Sequence, residues 1–150
     1  MKNFIFTNRI LTNHSVVSLI LRLTLGVVFF MHGAQKVLGW YGGGGLEGTA
    51  QFMNSLGIPT FMAYISSFWE FLGGIFLIVG FLTRIWALGL VINMIVAMQL
   101  AHSGFFVSQG GIELALVLMV MALAVTLLGS GRYSIDHSLA PVESVPNQSV

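Results

Sequence analysis

The chain contains no cysteine, which excludes disulfide staples, thiol redox chemistry and thiolate metal sites. Charge is scarce: 7% of its 150 residues are Asp, Glu, Lys or Arg, against roughly 25% in an ordinary soluble domain. A water-soluble fold of this size could not cover its surface with so few charges, so the bilayer is the expected solvent. The formal net charge of +1 says nothing about nucleic acid, and no basic run is present to bind it, so no nucleic-acid partner is expected. What the chain has instead is apolar residues, 56% of the total. Its length fits one small domain.

Windows of roughly 20 apolar residues can each cross the hydrocarbon as a helix. Four occur, at 16–38, 60–81, 84–102 and 112–129. The first is too long for a secretory signal, contains Arg22 and lacks a small-residue cleavage site, so it is read as retained. "GIPTF" places Pro59 at the start of the second helix, where its missing N–H costs little. "VGFLTRIW" is a short link in which Gly80 ends one helix and Thr83 caps the next. A link that short makes spans two and three antiparallel neighbours.

The predicted fold class is therefore all-α: an integral membrane four-helix bundle with both termini on one side. Lys2, Arg9, Arg84 and Arg132 would share that side against Lys36 on the other, and the positive-inside bias makes it cytoplasmic. Trp40 and Tyr41 suit the outer interface and Trp86 the inner one. The domain organisation is a cytoplasmic segment over 1–15, the membrane domain over 16–136 and a disordered tail over 137–150.

The longest connection is "WYGGGGLEGTAQFMNSLG". Its glycines are not a phosphate-cradling loop, because no strand precedes them and no Gly-Lys-Ser/Thr follows. Leu46, Thr49, Phe52, Met53 and Leu56 fall at helical spacing, which predicts a short interfacial helix between the first two spans.

At about 100° per residue, Arg22, Gly26, Phe29, Gly33 and Lys36 fall on one stripe of span one, with His32 at its edge. Small residues on such a stripe let backbones approach, and charges on it avoid lipid. It is read as the bundle-facing side. Span two repeats the pattern with Ala63, Ser66, Ser67, Glu70, Gly73, Gly74 and Leu77. Glu70 would sit about 15 Å from the outer end, where an ionised carboxylate costs roughly 2.5–3.5 kcal/mol on insertion scales. It must stay protonated or find a partner, and Arg22 and Lys36 are the candidates. Span three ends at Gln99 and His102, and span four begins with Glu113. His32, Lys36, Gln99, His102 and Glu113 are thus expected to form an outer-half polar cluster with Glu70 beneath. Asn93 projects opposite His102 and does not fit this cluster.

Plainer roles stand beside these. Arg22 and Lys36 could snorkel to head groups, Glu113 could be a negative residue in a helix's first turn, and His102 could be a helix cap. Glu70 is the hardest to set aside, because intramembrane carboxylates are functional candidates by default.

Three stretches carry a family resemblance: "RLTLGVVFFMHGAQKVLGW", "WEFLGGIFLIVGFLTRIWAL" and "AHSGFFVSQGGIELALVLMVMALAVTLLGSGRYSIDH". Together they run from Arg22 to Asp136 and resemble the DoxX family of small four-helix bacterial membrane proteins. Any one piece alone is weak; the order Arg-x3-Gly, His-Gly-x2-Lys, Glu-x2-Gly-Gly, Gly-x-x-Thr-Arg, Glu, Gly-x-Gly, Ser-x-Asp is fairly specific. The resemblance implies a multi-pass protein of the cytoplasmic membrane linked to respiratory or oxidative-stress redox systems, as a subunit or neighbour of a partner enzyme. The family's polar pattern falls on Arg22, His32, Lys36, Glu70, Arg84, His102, Glu113 and Asp136. Of these, Arg22, Arg84 and Asp136 are read as structural ion-pair members.

Two functions compete. In the first, a small subunit of a quinone-linked oxidoreductase uses His32, Lys36, Gln99 and His102 to hold a quinone head group, while Glu70 and Glu113 relay protons. In the second, the chain is a non-enzymatic scaffold for a redox partner, alone or as a homo-oligomer, and the cluster only sets helix register; no complete catalytic set argues otherwise. Haem held by His32 and His102 is conceivable, but a single histidine pair crowded by charges disfavours it. No metal site is expected.

Overall fold

The computed structural model describes residues 14–100 and 103–140. Among these, six α-helices follow one another: α1 His14–Leu38, α2 Gly45–Ser55, α3 Thr60–Val79, α4 Thr83–Leu100, α5 Glu113–Leu128 and α6 Ile135–Leu139. Single 3-10 turns lie at Trp40–Gly42 and Val107–Gln109, and no strand occurs among the described residues. Helices α1, α3 and α4 are long and apolar enough to cross a membrane, with mean hydropathies of 1.9, 1.6 and 1.5. Helix α5 is apolar but has 16 residues, a rise of about 24 Å. The protein is a helical membrane bundle.

Helices α1 and α3 pack as close antiparallel neighbours because glycine removes the side chains between them. A Cβ added at Gly33 would stand 2.3 Å from the Phe71 backbone nitrogen, and one at Gly74 would stand 2.3 Å from that of Phe30. Gly26 lies against Gly74 and Ile78. The two helices' numbers therefore run in opposite directions along the contact. The expected stripe is the buried one: Arg22, Gly26, Phe29 and Gly33 are buried on α1, and Ala63, Ser67, Glu70, Gly73, Gly74 and Leu77 on α3. The apolar core gathers Leu25, Phe29 and Leu77 with Leu90, Val91 and Met94 of α4 and Ala115, Leu118, Ala122 and Val125 of α5.

The α3–α4 link ends α3 as expected. Gly80 adopts φ 73, ψ 47, and its N–H donates to Phe76 O at 2.9 Å; the left-handed conformation suits glycine. Thr83 does not cap α4, however. The Leu82 and Thr83 N–H groups donate to Asp136 Oδ1 and Oδ2 at 2.7 and 3.0 Å, and Thr83 Oγ1 is buried without a partner. A carboxylate at a helix start satisfies free donors and favours the positive end of the helix dipole.

Trp40 and Tyr41 are exposed as expected of interface residues. Trp86 instead stacks on Phe76 at 4.9 Å and packs against Trp69 at 4.7 Å, between helices. The short helix predicted between the first two spans forms as α2 and buries Ala50. Residues 137–139, expected in a disordered tail, belong to α6; Lys2 and Arg9 lie outside the described residues.

Candidate functional site

Glu70 is drawn into the bundle by its place on the small-residue face of α3, where its side chain is 3% exposed. Lys36, near the end of α1, reaches it: Nζ donates to Glu70 Oε1 at 2.6 Å. From α4, Asn93 Nδ2 donates to the same oxygen at 2.8 Å. Ser66, one turn above Glu70 on α3, donates from Oγ to Asn93 Oδ1 at 2.7 Å. One carboxylate oxygen thus ties three helices together. The other, Glu70 Oε2, is buried with no hydrogen-bond partner. A carboxylate offers about four acceptor positions, so half of this one is unused.

These four side chains line a groove of about 1040 Å³ between α2, α3 and α4. Its walls are apolar: Phe52 and Met53 of α2, Met62 and Ile65 of α3, Ile92 and Val96 of α4. Met62, Ile65, Ile92 and Val96 are also exposed on the outside of the bundle, so the groove opens sideways towards the hydrocarbon. Helix α2 is held over it by a hydrogen bond from Thr49 Oγ1 to Lys36 O at 3.4 Å.

The expected cluster forms only in part. Lys36 and Glu70 meet; His32, Gln99 and Glu113 do not join them. His32 is exposed on the far side of α1, and Gln99 is exposed near the end of α4. His102 lies outside the described residues. Glu113 stands in the first turn of α5, as its plainer reading has it, and also accepts the Val107 N–H of the preceding loop at 3.0 Å through Oε2. Arg22 is buried but sits at the other end of α1, where Nη2 donates to the Tyr133 carbonyl. Arg84 is exposed, and Asp136 is occupied by backbone N–H groups. Lys36–Glu70 is the one ion pair among the described residues, so Arg22, Arg84 and Asp136 form no direct pair. Each Asp136 oxygen instead accepts one N–H at the start of α4.

Asn93 is the residue that the stripe analysis misplaced. Helical spacing sets Asn93 opposite His102 and so outside the predicted cluster, yet Asn93 faces α3 and the Glu70 carboxylate. A better signal was present four residues earlier. Gly89 admits the Trp69 indole, which a Cβ there would approach to 2.1 Å, so the Gly89–Asn93 side of α4 is the one that meets α3. A lone amide in hydrocarbon also needs a partner.

Three span-length apolar helices and a buried interhelical ion pair on the floor of a lipid-facing groove define a multi-pass helical membrane protein. The DoxX family matches residues 17–103. The chain is 34% identical over 124 residues to "Putative oxidoreductase CatD" of Bacillus subtilis, covering 79% of this chain and 84% of that one. It is 31% identical over 123 residues to "Inner membrane protein YqjF" of Escherichia coli, covering 81% and 90%. It belongs to the DoxX family. No solved structure matches it significantly.

Proposed function

We propose that the chain is a bacterial inner-membrane subunit of a redox system, and that its groove holds the head group of a lipid-soluble quinone and the corresponding quinol. The observation that carries this reading is Glu70 Oε2, an acceptor buried without a partner on the floor of an apolar groove. Unsatisfied buried acceptors are rare and mark places where a partner is missing. The apolar walls suit a prenyl tail, and a sideways opening suits a ligand that arrives through the bilayer. The names of the two relatives agree with membrane and oxidoreductase roles.

The donor set fits the head group. Lys36 has three N–H donors and uses one on Glu70. Asn93 has two and uses one. Both can donate to a carbonyl or phenolic oxygen, while Glu70 Oε2 accepts an O–H. A bound quinone would supply two-electron, two-proton exchange. Glu70 would take up or return a proton at Oε2, and the Lys36 ammonium would stabilise negative charge on a ligand oxygen. Asn93 and Ser66 hold the carboxylate in place. His32, Gln99 and Glu113 take no part. Arg84 and Arg132, at the end where α1 begins and α5 finishes, support an orientation with that end in the cytoplasm, with four crossings including the short α5.

The test is equilibrium binding of a short-tail quinone and its quinol to the purified full chain. Wild-type binding weakened about tenfold in Glu70→Gln and Lys36→Ala is expected, the loss of a charge-assisted hydrogen bond. Equal affinity in those variants overturns the reading. A wild-type protein that binds neither form leaves the cluster as an interhelical lock in an accessory scaffold.

A further inference from the structure

The opposite end of the bundle holds a second cavity that the quinone reading does not use. It has a volume of about 580 Å³ and lies where α3 passes into α4 and α5 ends, within the roughly 300–1,000 Å³ of small-molecule sites. Arg84, Arg132 and the Ser130 hydroxyl line it. Neither arginine has a carboxylate within salt-bridge distance among the described residues. Asp136 also lines the cavity, but its oxygens accept the Leu82 and Thr83 N–H groups, and neither arginine pairs with it. Thr83 Oγ1, fully buried and without a partner, borders the same space.

Two unpaired guanidinium groups and two hydroxyls form a donor-rich set that matches a phosphate ester. Guanidinium recognises phosphate by parallel N–H donors, and basic pockets between membrane helices suit anionic head groups. The rim selects the source of the phosphate. Leu82 and Ile85 line the cavity and are exposed at 44% and 56%, so a ligand seated there would lay its non-phosphate part against apolar side chains. We propose that this cavity binds the head group of an anionic phospholipid of the phosphatidylglycerol kind, with Arg84 and Arg132 on the phosphate and Thr83 Oγ1 donating to one of its oxygens.

Native mass spectrometry of the purified full chain, presented with equal amounts of phosphatidylglycerol and phosphatidylcholine, tests this. The wild type should retain phosphatidylglycerol about tenfold better. The double variant Arg84→Gln/Arg132→Gln should lose that preference, and Thr83→Val, a near-isosteric change, should weaken it severalfold. Both variants should keep the wild-type melting temperature, because the arginines are exposed and the α4 cap comes from Asp136. Equal retention of the two lipids by the wild type, or an undiminished preference in the double variant, overturns the proposal. Displacement of the lipid by millimolar inorganic phosphate also overturns it, because the cavity would then be a site for free anions.

Discussion

Lys36 Nζ and Glu70 Oε1 stand 2.6 Å apart across the α1–α3 contact, and the two side chains are unequally covered: Lys36 is 28% exposed and Glu70 is 3% exposed. The lysine can turn away if its partner is lost; the carboxylate cannot. Replacing Lys36 by Met should therefore destabilise the protein by about 3 kcal/mol, as when one member of a buried pair is removed. Glu70→Gln, which keeps hydrogen bonding to Asn93, should cost about 1 kcal/mol. The double variant Lys36→Met/Glu70→Leu should be more stable than Lys36→Met alone. Thermal unfolding in detergent followed by tryptophan fluorescence measures all three. Equal costs for the single variants would show that the exposure difference does not matter.

The α1–α3 contact depends on bare backbone. Gly33→Ala should cost about 2 kcal/mol, because the added methyl meets the Phe71 backbone rather than a movable side chain. Gly48 lies within α2 with nothing inside 4 Å of an added Cβ, so Gly48→Ala should stabilise by ~0.5–1 kcal/mol through helix propensity. Melting temperatures of the two variants should move in opposite directions.

The Asp136 carboxylate caps a helix that begins 53 residues before it. Asp136→Ala should cost about 1–2 kcal/mol, the usual loss for a removed cap. Leu82 sits at φ 48, a conformation costing roughly 1 kcal/mol for a side-chain-bearing L residue. Leu82→Gly should therefore raise the melting temperature, provided the loss of the leucine side chain from the exposed rim is small. A fall larger than that of Asp136→Ala would mean that the Leu82 side chain matters more than its backbone.

His32 and Glu113 provide the contrast set for ligand binding. His32 faces outward, and Glu113 is engaged by its own loop. His32→Ala and Glu113→Ala should leave quinone affinity within about twofold, because neither touches the groove. A tenfold loss in either would return them to the site.

The helical membrane architecture and the inward placing of Lys36 and Glu70 are legible in the sequence, because helical spacing puts charges and small residues on one stripe; that spacing leaves both Arg22 and Lys36 open as partners of Glu70. The partner of Glu70 could be narrowed only by depth. The antiparallel register brings Lys36 level with Glu70, while Arg22 lies beside Gly80 at the other end. That register depends on which glycine meets which backbone, and this is not visible in one chain's spacing. Asn93 falls outside the predicted cluster because it projects opposite His102, whereas Gly89 marks the side of α4 that meets α3. Asp136 was read as an ion-pair member, since nothing local shows a carboxylate capping a helix so distant in sequence.

The most direct test is photolabelling of the purified protein with an azido-quinone, with the attachment sites mapped by mass spectrometry. Labels should concentrate on the walls formed by Met53, Ile65 and Val96 and be suppressed by excess unlabelled quinone. Labels spread evenly over the lipid-facing sides of α1 and α5, or unaffected by competitor, would contradict a head-group site at Lys36, Glu70 and Asn93.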